Sequence, residues 1–108
     1  MNNIYLYAGS NSIIKYSYSK IISKKYNLIH HGLGSTTTNR GIIELSNDKK
    51  HIKENDIIIH EYYVNDHNEA NKNIINWNTI LKDLEEFINL CKNYKLFFIL
   101  IHTVDTIK

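Results

Sequence analysis

Four short clusters in the chain carry residue types that do chemistry. They are Ser10 and Ser12 in "AGSNS", His30 to Thr37 in "HHGLGSTTT", Asn65-Asp66-His67 in "VNDH", and His102 to Asp105 in "HTVD". A serine in a turn at a helix N-terminus has three readings: a nucleophile, part of a phosphate cradle, or a helix cap. Glycine and asparagine supply the backbone N–H and side-chain amide donors that stabilise a developing oxyanion. His30, His31, His60 and Glu61 are metal-ligand types without a recognised spacing, so their ordinary reading is bonding to backbone or water.

Something must bring these clusters together, and the hydrophobic pattern says what. Ile4–Ala8 reads as a first strand, followed by a helix from Asn11 to about Lys25 with Ile14, Tyr18, Ile21 and Ile22 at helical spacing. Asn27–Gly34 reads as a short strand running into a glycine-rich loop. The next stretch reads as a short helix capped by Ser35 or Thr36 and weakened inside by Gly41. Asp56–Asp66 is the next expected strand, its Ile57–Ile59 run suiting a position buried on both faces. A long helix is expected over roughly Lys72 to Asn93, with Trp77, Leu81, Leu84, Ile88 and Cys91 as its core-facing stripe. "KLFFILIHT" closes the pattern as a strongly apolar strand.

Strands alternating with helices imply one α/β domain over residues 1–108, a three-layer, flavodoxin-like parallel sheet of about four strands with helices on both faces. Ligands in such sheets bind beyond the carboxyl ends of the strands, where all four clusters fall.

Composition narrows the function classes. Net charge is +2 with both signs interspersed, and Arg40 is the only arginine, so neither a nucleic-acid nor a membrane partner is expected. Cys91 is the only cysteine, which excludes a disulfide framework within the chain and a thiolate metal cluster; its place on an apolar stripe makes it a buried thiol. The first ten residues lack a basic region and a long apolar run, and "LFFILI" is only strand-sized, so a cytoplasmic protein is expected.

Three clusters, taken in order, resemble the SGNH/GDSL family of serine hydrolases. "AGSNS" resembles the first block and aligns Ser10 with the nucleophile. "HHGLGSTTT" resembles the second and places Gly34 at the glycine whose N–H lines the oxyanion hole. "HEYYVND" resembles the third and aligns Asn65 with the asparagine whose amide is the other donor. The resemblance implies hydrolysis of an ester of a small molecule or glycan, including acetyl esters of carbohydrate, with no cofactor and no metal.

The departures are specific. Ala8 and Gly9 stand where the family has glycine and aspartate, and Tyr63 stands where the third block has glycine. The C-terminal Asp-x-x-His block that supplies the base is absent from its expected place, which implies that the C-terminal part of the fold is missing. His102 ends a strand two away from the first, about 10 Å off by strand spacing alone, and His67 follows Asn65; neither is expected to serve as base. Two other readings stand beside the hydrolase: a non-catalytic half-domain, and a flavodoxin-like mononucleotide binder with "GSNS" as its phosphate loop. Leu96–Ile101 has no charge or proline to protect an edge, so pairing with a second copy or a partner is expected there.

Overall fold

The computed structural model describes residues 3–9, 18–32 and 37–99. Its elements are β1 (Asn3–Ala8), α1 (Tyr18–Lys25), β2 (Asn27–Gly32), α2 (Thr38–Asp48), β3 (Ile57–Glu61), α3 (Tyr63–Asn71), α4 (Trp77–Leu90) and β4 (Lys95–Phe98). The four strands form one parallel sheet in the order β2-β1-β3-β4. The α/β layered architecture expected from the sequence is therefore present.

β1 lies at the centre because Ile4 to Ala8 are apolar on both faces, which only a strand covered on both sides accommodates. Tyr5, Tyr7 and Ile58 face α2 and α4, where they pack with Ile42, Leu45, Ile52, Phe87 and Cys91. Ile4, Leu6, Ala8 and Ile59 face the other way, against Tyr18 and Ile22 of α1. Buried Asp56 fixes the start of the sheet, accepting hydrogen bonds from Asn3 N (2.9 Å) and Lys53 N (2.8 Å).

The sequence expectation fails at two boundaries. The strand expected over Asp56–Asp66 ends at Glu61, and Tyr63 opens α3 instead. The aromatic and β-branched run Tyr62-Tyr63-Val64 suits a strand locally, but Asp66 N turns back to Tyr62 O (2.9 Å) and starts a helical turn. The helix expected over roughly Lys72 to Asn93 begins instead at Trp77, as α4, and the separate helix α3 precedes it. α3 stops in a Schellman arrangement, with Ile74 N donating to Glu69 O (2.9 Å), Asn73 N to Ala70 O (3.0 Å) and Asn73 at φ 59°. Asn76 then caps α4, its side chain accepting from Asn78 N at 2.6 Å.

The facing of α4 also differs from expectation. Ile80, Phe87 and Cys91 are buried, whereas Trp77, Leu81 and Ile88 are 48%, 60% and 47% exposed. At 100° per residue these residues and Leu84 span one apolar arc about 120° wide. Ile80, Phe87 and Cys91 form its core side, and the exposed three form its outer side. Periodicity alone cannot say which side of so wide an arc meets the core.

Gly41 of α2 lies against the core side, at Phe87. A Cβ there would stand 2.6 Å from the ring of Tyr62 and 3.2 Å from that of Phe87, so the glycine lets α2 close on both rings. Helix propensity alone would make Gly41→Ala stabilising by about 1 kcal/mol. The buried rings have no room to retreat, so the substitution is expected to cost about 1–3 kcal/mol instead, read as a lower urea midpoint.

Candidate functional site at the carboxyl ends of the central strands

Parallel pairing places the carboxyl ends of β1, β2 and β3 side by side: Ala8 is in register with Gly32 on one side and Glu61 on the other. Gly9 continues β1 by one residue, its N–H donating to Glu61 O at 3.1 Å. Ser10, the expected nucleophile, and Gly34, the expected oxyanion N–H, lie outside the described residues, as do Ser12, Ser35, Thr36, His102 and Asp105.

Asn65 is described, and its position is the informative one. It stands in the first turn of α3 rather than at a strand end, and its amide lies directly over Gly9. A Cβ at Gly9 would collide with Asn65 Nδ2 and stand 3.3 Å from Asn65 Cγ. Glycine at position 9, where the resemblance would put aspartate, thus leaves space for the amide beside the residue before Ser10. Gly9→Ala is expected to displace that amide and cost about 1–3 kcal/mol, measurable as a lower thermal midpoint together with a shifted Asn65 side-chain NH2 signal in a nitrogen-15 spectrum.

Asp66, next to Asn65, does a different job. It is buried and accepts from Thr38 N (3.0 Å) and from Thr38 Oγ1 (2.5 Å), so it caps α2 from α3. Thr37 occupies the N-cap position and makes no side-chain cap bond, and the caps expected at Ser35 or Thr36 fall outside the described residues. Burial raises the Asp66 pKa, and the two bonds from Thr38 oppose that rise.

Thr38 Oγ1 also lies 2.9 Å from His60 Nε2. Because the hydroxyl donates to Asp66, His60 Nε2 must carry the proton in that contact. His60 is fully buried, with Nδ1 left without a hydrogen-bond partner. Burial lowers its pKa to about 4, an effect partly offset by its own backbone, so the ring is neutral at physiological pH.

On the α1 face, Glu61 is buried at the end of β3 and accepts from Tyr18 Oη at 2.9 Å. Burial raises its pKa, opposed by the Tyr18 bond. This pair ties α1 to the strand end beside Gly9. Its one sequence signal is a carboxylate placed at the end of an apolar strand.

His31 is not placed to serve as a base. Both ring nitrogens of His31 face carboxylates, Nε2 at 2.7 Å from Asp48 and Nδ1 at 3.4 Å from Glu44, and a general base needs a free nitrogen. Asp48-Lys49-Lys50-His51 has Asp-x-x-His spacing, but it starts at the last residue of α2 and leads towards the amino end of β3, away from the carboxyl ends of the strands. Among the described residues no three His, Cys, Asp or Glu side chains come together as a metal site.

Two concavities flank the strand ends. A polar cleft of about 230 Å³ at the end of β2 is lined by His30, His31, Gly32, Arg40 and Glu44, with Arg40 paired to Glu44 at 2.7 Å. A larger, apolar cavity of about 290 Å³ lies between α3, α4 and β4. It belongs to a different side of α3: Tyr63, Asp66 and His67 line it at i, i+3 and i+4, whereas Asn65 points about 150° away around the helix. Among the described residues, no helix is long and apolar enough to cross a membrane. No family model matches the chain, and neither does any curated protein or solved structure.

Proposed function

We propose that the chain is an SGNH/GDSL-type serine acyl-hydrolase domain that carries the nucleophile and the oxyanion donors but borrows its general base. The single observation that carries this reading is the Asn65 amide lying over Gly9, immediately before Ser10. Three segments that resemble the family's blocks follow β1, β2 and β3, which are neighbours in the sheet. In the reaction, Ser10 Oγ attacks the ester carbonyl and gives up its proton to a base. The carbonyl oxygen becomes an oxyanion held by the Asn65 amide and backbone N–H groups, and the alcohol leaves with a proton. Water then releases the acid by the same steps. The polar cleft at the end of β2 suits a hydroxyl-rich alcohol portion, in keeping with an acylated glycan.

The half-domain reading is favoured by β4. It is one of the two edges of the described sheet, and Phe97 and Phe98, on opposite faces, are 56% and 41% exposed. A partner strand there, from a second copy or another chain, would cover both rings.

The test is labelling with a fluorophosphonate probe, with and without added imidazole as a surrogate base. Slow labelling that imidazole accelerates and that Ser10→Ala abolishes is the expected result. Absence of Ser10-dependent labelling in folded protein, with or without imidazole, would contradict the reading.

A further inference from the structure

The polar cleft at the end of β2 has walls that hold one another in place. His31 stacks on Tyr7, with ring centroids 5.1 Å apart and planes 9° from parallel. Asp48 ties the two rings together, lying 2.7 Å from His31 Nε2 and accepting from Tyr7 Oη at 2.7 Å. Glu44 stands between Arg40 and His31: Oε1 accepts from Arg40 Nη2 at 2.7 Å, and Oε2 lies 3.4 Å from His31 Nδ1. These side chains from β1, β2 and α2 are fixed before any ligand arrives, which lowers the ordering cost of binding.

Charge and size limit what fits. Arg40 and Glu44 both line the cleft, and their charges cancel. An anion would meet Glu44 and a cation would meet Arg40, whereas a neutral ligand meets neither repulsion. The pair also sets donors beside acceptors. A guanidinium has several N–H donors and a carboxylate several acceptor sites, so their mutual bond exhausts neither. The two side chains are 47% and 22% exposed, so both are open to a ligand. A hydroxyl is donor and acceptor at once, and two neighbouring hydroxyls match such a pair. At about 230 Å³ the cleft is smaller than pockets for drug-sized molecules, which leaves room for a single ring.

We propose that this cleft binds one sugar ring through two neighbouring hydroxyls, Arg40 donating to them and Glu44 accepting from them. The pair thereby sets specificity for the alcohol portion of the ester. That the sugar belongs to an ester rests on the hydrolase reading; that the cleft holds the ring does not. The position suits both. Gly32 at the cleft is in register with Ala8, one strand spacing of about 4.8 Å away, and Gly9 beside the Asn65 amide comes next. A ring in the cleft carries its acyl group towards that strand end.

Arg40 is the only arginine, so its single Nε–H signal in a nitrogen-15 spectrum reports occupancy. Titration with the methyl glycosides of glucose, galactose and mannose is expected to shift that signal saturably, in the millimolar range, for at least one of them. The same shift is expected in Ser10→Ala, so failed fluorophosphonate labelling with intact glycoside binding would remove the hydrolase reading alone. Tetrahydropyran-2-methanol, a ring of the same size without neighbouring hydroxyls, is expected to give no saturable shift. Glu44→Gln is expected to weaken binding of the glycoside by about tenfold. Arg40→Lys, read at the Gly32 amide, is expected to weaken it about fivefold, because lysine keeps the charge and loses the fork. The pair is partly exposed, so both variants are expected to stay folded. No saturable shift with any of the three glycosides in folded wild type would overturn the proposal. Tighter binding of inorganic phosphate than of every glycoside, equal affinity for tetrahydropyran-2-methanol, or undiminished binding in folded Glu44→Gln would overturn it as well.

Discussion

Asp66→Ala is expected to lower stability by about 3 kcal/mol, seen as a fall in urea midpoint at neutral pH with an unchanged denaturant slope. The carboxylate is buried and joins three elements, accepting from Thr38 N and Thr38 Oγ1 while the same hydroxyl meets His60. Losing a helix cap costs about 1 kcal/mol, and losing a charge-assisted bond in the interior about 2 kcal/mol more. Asp66→Asn keeps an acceptor for the backbone N–H and is expected to lose about half as much. Thr38→Val separates the terms, since it removes the hydroxyl but leaves the N–H and its cap. If Asp66→Ala were neutral, the α2–α3 link would carry little of the fold.

Acid is the second large effect, and its sign follows from His60. The folded-state pKa of about 4 lies below the ordinary histidine value of 6.5, so between those limits the unfolded chain binds more protons than the folded one. Stability is therefore lost as pH falls from about 6.5 towards 4, by about 3 kcal/mol in all. Glu61 and Asp66 work in the opposite sense: burial raises both pKa values, so protonating them on acidification favours the folded state. Comparison with His60→Gln isolates the imidazole, because glutamine does not titrate. Urea unfolding at pH 7, 5.5 and 4.5 is expected to show a steeper acid decline in wild type than in His60→Gln. Parallel declines would contradict the assignment of a buried neutral imidazole.

Several elements were legible in the sequence because one physical signal dominated each. β1 and the apolar stretch of β3 are nearly continuous apolar runs, and their alternation with helical spacing settles a parallel sheet. Asn65 could be singled out because asparagine stood in an ordered set of clusters. Other features depend on partners far along the chain. Which side of the α4 arc is buried does not follow from spacing, and reading Gly41 as a weak point in a helix misses the close approach to Tyr62 and Phe87 that it permits. The end of β3 depends on Asp66 reaching back to α2, which overrides the strand preference of Tyr62 and Tyr63. The Thr38–Asp66–His60 chain spans three segments, and none of its members looks unusual alone. Glu61 and Tyr18 are 43 positions apart and meet only once α1 has docked.

The central claim is that Asn65 serves an oxyanion formed at Ser10, and the rate of fluorophosphonate labelling tests it most directly. With imidazole present, Ser10 is expected to label in wild type, and Asn65→Ala is expected to slow that labelling by about a hundred- to a thousand-fold in a protein that remains folded. Equal rates in the two proteins, or labelling that persists in Ser10→Ala, would contradict the claim.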